Sequence, residues 1–145
     1  MGIEENKEVV LRLIEEMDKG NIGVVDELIT SDFVMHRIGG DDIDRETYKV
    51  FHQQAYAAMP DYKMTIDEII SEGDKVSVRA KRSFTQKRYP KGKSATGNKI
   101  KVATYVYFRL EGEKIAEGWV LRDNLSYYQQ HGVLPSNEEI ESKLL

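Results

Sequence analysis

The residues best suited by type and spacing to do chemistry lie in one stretch, positions 112–124, where a tight turn at Gly112-Glu113 leads into a strand pattern. Side chains of a strand alternate between two faces, so Ile115, Glu117, Trp119, Leu121 and Asp123 share one face. Ala116, Gly118, Val120 and Arg122 take the other. The first face joins the chain's only tryptophan to an acid four residues further on. A carboxylate beside a large aromatic is costly to bury unless it is paired, hydrogen-bonded or neutralised. Two readings follow. Either Asp123 ends the strand in water, or it stands at the mouth or floor of an apolar cavity, where burial disfavours the charged form and suits the group to moving protons.

The elements that must position this stretch follow from hydrophobic period. Glu4 to Lys19 has Val10, Leu13, Ile14 and Met17 at helical spacing, with acids in the first turn and Gly20 as a stop. Asn21 can cap a second short helix through Ile29. Phe33 to Ile38 is a short strand. Asp44 can cap a third helix that carries Tyr48, Phe51, His52, Ala55 and Met59 up to Pro60. Phe51 and Met59 then serve as core and as cavity wall at once.

From Tyr62 onward the period changes to two. Strands are expected from Tyr62 to Glu72, from Lys75 to about Tyr89 and, after a loop at Pro90 to Gly97, from Ile100 to Glu111. Pairing Glu111 with Lys114 across the Gly112-Glu113 hairpin sets Val106 beside Trp119 and Val102 beside Asp123. Val102, Thr104, Val106, Phe108 and Leu110 then give that face the apolar lining of a small-molecule pocket. The other face (Ala103, Tyr105, Tyr107, Arg109, Val120) is also partly apolar, which predicts a homodimer covering it. Leu125 to Gly132 reads as a further short helix, and Ser136 with Glu139 as a capping box opening a last one.

Helices followed by a strand meander predict an α+β fold. The chain also resembles the SnoaL-like polyketide cyclase family of the nuclear transport factor 2-like superfamily. The likeness is carried by Asp32 to His36, by Met59-Pro60-Asp61, by Glu72 to Arg79, by Ala95-Thr96-Gly97, by Phe108 to Trp119, and by Asp123, Gln129, Gln130 and Gly132. It covers about residues 5–132, so that 1–145 reads as a single domain with a short helical tail at 136–145. The resemblance implies a cone: a strongly curved antiparallel sheet wrapping an apolar cavity closed by three N-terminal helices, with dimers through the outer sheet face. It also implies that Asp123 matches the acid/base aspartate of cyclase members, Trp119 a cavity-lining aromatic and His36 a histidine of the first short strand. Where family members often carry Gly-Thr-His, this chain has Phe84-Thr85-Gln86. Gln86 can hydrogen-bond a carbonyl but cannot exchange a proton as histidine does, and Phe84 narrows the space.

Composition limits the alternatives. The chain has 145 residues, no cysteine and a net charge of −4, which excludes thiolate chemistry and disulfides and fits a cytoplasmic protein. The acidic start is unlike a signal peptide, and no apolar run is long enough to span a membrane. His36, His52 and His131 are too far apart to suggest a metal site. Nine basic residues and no acid lie between Arg79 and Lys101, yet with few aromatics among them a nucleic-acid platform is poorly supported; a solvated hairpin surface is expected. The leading expectation is a cofactor-independent cyclase, isomerase or hydrolase acting on a small apolar carbonyl compound. In it Asp123 moves the proton, and His36 or Gln86 binds the enolate oxygen. The alternatives are a non-catalytic dimeric binding module for a small hydrophobic ligand, or a polyanion-binding protein using the basic block.

Overall fold

The computed structural model describes residues 2–87 and 97–144. Five helices, α1 (Ile3–Asp18), α2 (Val24–Leu28), α3 (Arg45–Ala58), α4 (Asn124–Gln130) and α5 (Asn137–Ser142), accompany six strands. The strands are β1 (Ile29–Arg37), β2 (Ile43–Asp44), β3 (Lys63–Glu72), β4 (Lys75–Thr85), β5 (Lys99–Glu111) and β6 (Lys114–Arg122). The fold is α+β, built on one sheet in the order β2-β1-β6-β5-β4-β3.

The meander β3–β6 is antiparallel throughout, but β1 runs parallel to β6. The sheet is therefore mixed rather than antiparallel. β1 is separated from β6 by α3 and the whole meander, so no hairpin constrains its direction. Strand β4 ends at Thr85, short of the expected Tyr89; Tyr89 itself and all of the expected Pro90–Gly97 loop except Gly97 lie outside the described residues. The second helix begins at Val24 behind Gly23, without a side-chain cap, and not at Asn21.

Local chemistry accounts for most boundaries. Asp44 accepts the Thr47 N–H at the start of α3 at 2.8 Å, and Ser136 accepts that of Glu139 at the start of α5 at 3.2 Å. Gly73 and Gly112 take the positive φ angles of 58° and 59° at the two hairpin turns, which a β-carbon would strain. Val10, Leu13 and Met17 of α1 pack with Phe33, Met35, Val78, Val106 and Phe108 of the sheet's inner face to form the core. Each such buried side chain contributes roughly 1.5–3 kcal/mol relative to exposure.

The basic block does not form one patch among the described residues. Arg79 and Lys81 face Asp67 of β3, at 3.6 and 3.2 Å, and Lys99 pairs with Asp61 at 2.8 Å. Arg82 alternates to the inner face with Ala80 and Phe84. Among the described residues no helix is long and apolar enough to cross a membrane.

Candidate functional site

A single extra residue decides where the tryptophan goes. Leu110 faces Ile115, but Arg109 already faces Glu117, so Ala116 is a bulge in β6. Ile115 and Ala116 are both buried, and every later residue changes face. Trp119 therefore stands beside Tyr107 on the outer side of the sheet, with ring centroids 5.1 Å apart, and not beside Val106. Val120 lies opposite Val106 on the inner side, reversing its expected place. Gly118 also turns inward, where a β-carbon would meet Met35 at 3.0 Å and Phe108 at 3.1 Å.

His36 shares Trp119's side. Its ring stacks on the indole at 5.3 Å, its Nε2 lies 2.6 Å from Glu117 and its Nδ1 lies 3.1 Å from Asp42. The Glu117 hydrogen bond, reinforced by Asp42, raises the histidine's pKa above its ordinary value. Glu117 is lowered in turn, first by His36 and then by Arg109, whose Nε donates to it at 3.1 Å. This is an ion-pair network on the outer face, not part of a cavity.

Asp123 is exposed. Its carboxylate accepts the Ser126 N–H at 3.1 Å and so caps α4. The structure thus places it as a strand-ending acid in water, away from the lining of the cleft described below. Asp123→Ala is expected to cost about 1 kcal/mol by urea denaturation, whereas Asp123→Asn, an equally good cap, leaves stability unchanged. Gln86, past the end of β4, is buried, and its N–H donates to the Asn98 carbonyl at 2.8 Å. It too is absent from that lining.

The inner face instead opens a cleft against α1 and α3. It has three adjoining sections that share Phe51 and Arg82. The first lies among Ile14, Met17, Met35, Met64, Val106 and Phe108, an apolar lining of the kind that small-molecule sites have. The second holds Met59, Phe84 and Val102. The third reaches the ends of β1 and β6, where Arg37 and Arg122 emerge. Phe51, Met59, Val102 and Val106 are thus brought together on one cleft, and His36, Trp119, Asp123 and Gln86 are not.

The polar groups in the cleft are ones the strand argument passed over. Arg82 is inward and half-buried; its Nη1 donates to the Tyr62 hydroxyl at 2.8 Å, and no carboxylate pairs with it among the described residues. Its signal in the sequence was phase: it alternates with Val76, Val78 and Ala80, all inward. His52 sits one turn after Tyr48 on α3, with ring centroids 4.3 Å apart, and its Nδ1 lies 2.8 Å from the Tyr48 carbonyl. A carbonyl only accepts, so Nδ1 carries the proton and Nε2 keeps its lone pair. Burial, and then the charge of Arg82, push the His52 pKa down to about 4, so the ring is neutral at ordinary pH. Burial likewise pushes the Tyr48 hydroxyl up to about 12. At the α1 end, the Tyr56 hydroxyl donates to Asp18 at 2.6 Å; burial first, and then that bond, raise its pKa. The cleft therefore offers a fixed cation, a neutral imidazole and tyrosine hydroxyls within an apolar enclosure.

Comparison with known proteins agrees with this architecture. The family model described as SnoaL-like polyketide cyclase matches residues 7–131. A candidate polyketide cyclase from Streptomyces antibioticus, IdmH, superposes with a TM-score of 0.79 at 27% identity, over 88% of this chain and 99% of that one. A candidate polyketide cyclase from Acidithiobacillus ferrooxidans gives 0.76 at 27% identity, over 91% and 98%. AclR, a candidate hydroxylase from Streptomyces galilaeus, gives 0.81 at 18% identity, over 92% and 100%, a likeness of fold alone. No curated protein matches the chain. With a family match spanning most of its length, the chain belongs to the SnoaL-like polyketide cyclase family.

Proposed function

We propose that this protein is a cofactor-independent acid/base enzyme of the cyclase or isomerase kind, acting on a small apolar carbonyl compound held in the cleft under α3. The observation that carries the reading is the Arg82 guanidinium beside the neutral His52 ring in an apolar enclosure. His52 Nε2 takes a proton from carbon, and the electron pair moves onto the carbonyl oxygen. Arg82 and the Tyr62 hydroxyl donate to the enolate oxygen, which carries more charge than the ground-state carbonyl. The enolate carbon then attacks a second carbonyl, and the imidazolium returns its proton to the new alkoxide; in an isomerase the proton returns to a different carbon. A base with so low a pKa removes only acidic C–H protons, so the reactive carbon lies between two carbonyls. Membership of the cyclase family supports this chemistry, and α1, α2 and α3 are taken as the closure of a cone around the cleft.

The test is deuterium exchange at the C–H of 2-acetyl-1-tetralone in heavy water, followed by NMR. Saturable exchange above the buffer rate is expected. Binding without exchange would favour the alternative, a non-catalytic module for a small hydrophobic ligand, a role that the weak basicity of His52 also allows.

The outer face carries a second part of the proposal, a homodimer. Tyr105, Leu121 and Ile38 are 56%, 53% and 55% exposed there and adjoin Tyr107 and Trp119, an apolar patch of the kind that marks an interface. Light scattering is expected to give twice the chain mass, falling to the chain mass in Leu121→Lys. A wild-type monomer at micromolar concentration would refute it.

A further inference from the structure

The outer section of the cleft has a charge pattern that a neutral substrate leaves unexplained. The chain is net negative at −4, yet Arg37, Arg82 and Arg122 all line this section, and no acidic residue does so among the described residues. Among the described residues each guanidinium is held by neutral partners alone. Arg37 Nε donates to the Asp41 backbone carbonyl at 2.8 Å, and its charge lies 5.3 Å from the centre of the Phe51 ring. Arg122 Nε donates to Asn124 Oδ1 at 2.6 Å, with its charge 4.1 Å from the centre of the Tyr127 ring. Arg82 is held by the hydroxyl and ring of Tyr62. The other described arginines pair with acids: Arg12 with Glu27, Arg45 with Asp26, Arg79 with Asp67 and Arg109 with Glu111.

A second observation points to the same place. Thr104 lines this section, is fully buried, and its Oγ1 has no hydrogen-bond partner among the described residues. Thr104 faces Ala80 across the strand pair while Arg82 faces Val102, so Thr104 and Arg82 are diagonal neighbours on the inner face. A buried hydroxyl left unmatched is destabilising, and clustered like charges repel. One ligand group that accepts hydrogen bonds and carries negative charge offsets both.

Building on the reading of the cleft as a ligand site, we propose that its ligand is an organic anion. Its apolar body lies toward Met17, Met35 and Phe108, and its carboxylate sits among Arg37, Arg82, Arg122 and the Thr104 hydroxyl. Planar guanidinium forks match carboxylate oxygens in pairs, and the parallel ends of β1 and β6 hold two of the forks at the opening.

The test compares 2-naphthoate with 2-acetylnaphthalene, which has nearly the same shape but a neutral ketone, by titration calorimetry at low ionic strength. The naphthoate is expected to bind at least about ten-fold tighter, with the advantage shrinking as salt rises. Arg122→Gln and Arg37→Gln, checked for folding by circular dichroism, should each reduce naphthoate affinity and leave acetylnaphthalene affinity unchanged. Equal binding of the two compounds, or no effect of either substitution, overturns the anion proposal while keeping the cleft as a ligand site. Inorganic phosphate binding as tightly as naphthoate would show a bare anion site and overturn it as well. Failure of both naphthalenes to bind overturns this proposal and the ligand-site reading together.

Discussion

His52→Gln is expected to lower carbon-acid turnover by about a hundred- to ten-thousand-fold, the usual contribution of a positioned proton-transfer group, and to leave the protein folded. The glutamine amide can still donate to the Tyr48 carbonyl as the Nδ1–H of His52 does, but it cannot accept a proton. The same variant has a signature in pH. An unfolded histidine takes up its proton near 6.5, whereas the folded His52 resists until about 4. Between those values the unfolded chain binds more protons, so the stability tied to His52 is complete above 6.5 and is withdrawn as pH falls toward 4. At about 1.4 kcal/mol per unit, that loss comes to roughly 3 kcal/mol. His36 works in the opposite direction: its raised value gives stability at low pH that is lost as pH rises through the folded value. Comparing wild type with His52→Gln isolates the first effect. Denaturation curves from pH 7 to pH 4 should fall less steeply in the variant, and wild-type kcat should stay level near neutrality. Turnover in His52→Gln within a few-fold of wild type would remove His52 from the mechanism.

Why the sequence pointed to Asp123 and the structure to His52 and Arg82 has a definite physical cause. Alternation in β5 was legible: Val102, Thr104, Val106, Phe108 and Leu110 all turn inward. Alternation in β6 was legible only up to the bulge at Ala116. Period-two reasoning has no internal sign of one extra residue, and beyond it every inference inverts. Two adjacent apolar residues, Ile115 and Ala116, were the only hint. The helix caps at Asp44 and Ser136 could be read because they depend on residues three apart. The partners of Arg82 could not, since Tyr62 precedes it by 20 residues and their meeting depends on the pairing of β3 with β4. His52 was visible as a residue of the α3 face, but its lowered pKa comes from burial against a sheet that local sequence does not describe. The family resemblance supplied the α+β class, but the sheet it implied is antiparallel and the observed one is mixed, because β1 runs parallel to β6. The resemblance carried a role to Asp123 by position, and this chain uses that position to cap α4.

Arg82→Met is expected to separate function from stability. A half-buried guanidinium with no carboxylate partner among the described residues is held at a desolvation cost that one tyrosine hydroxyl and one ring face only partly offset. Methionine fills similar length with an apolar, adaptable chain in a cleft already lined by Met17, Met35 and Met64. The melting temperature should therefore hold or rise. Turnover should fall by about a hundred- to a thousand-fold, as when a preorganised donor to a developing oxyanion is removed. Removing the cation should also let the His52 pKa rise, because Arg82 is the second cause of its depression after burial. A histidine NMR titration of the variant should show that upward movement. Arg82→Lys keeps the charge but loses the fork, and should recover part of the turnover and keep His52 low. A structural role for Arg82 predicts the reverse pattern: a lower melting temperature in Arg82→Met, with the activity lost only in proportion to unfolded protein. Natural sequences retain a costly buried charge where it serves a site, and a variant that is at once more stable and inactive would place Arg82 in that class.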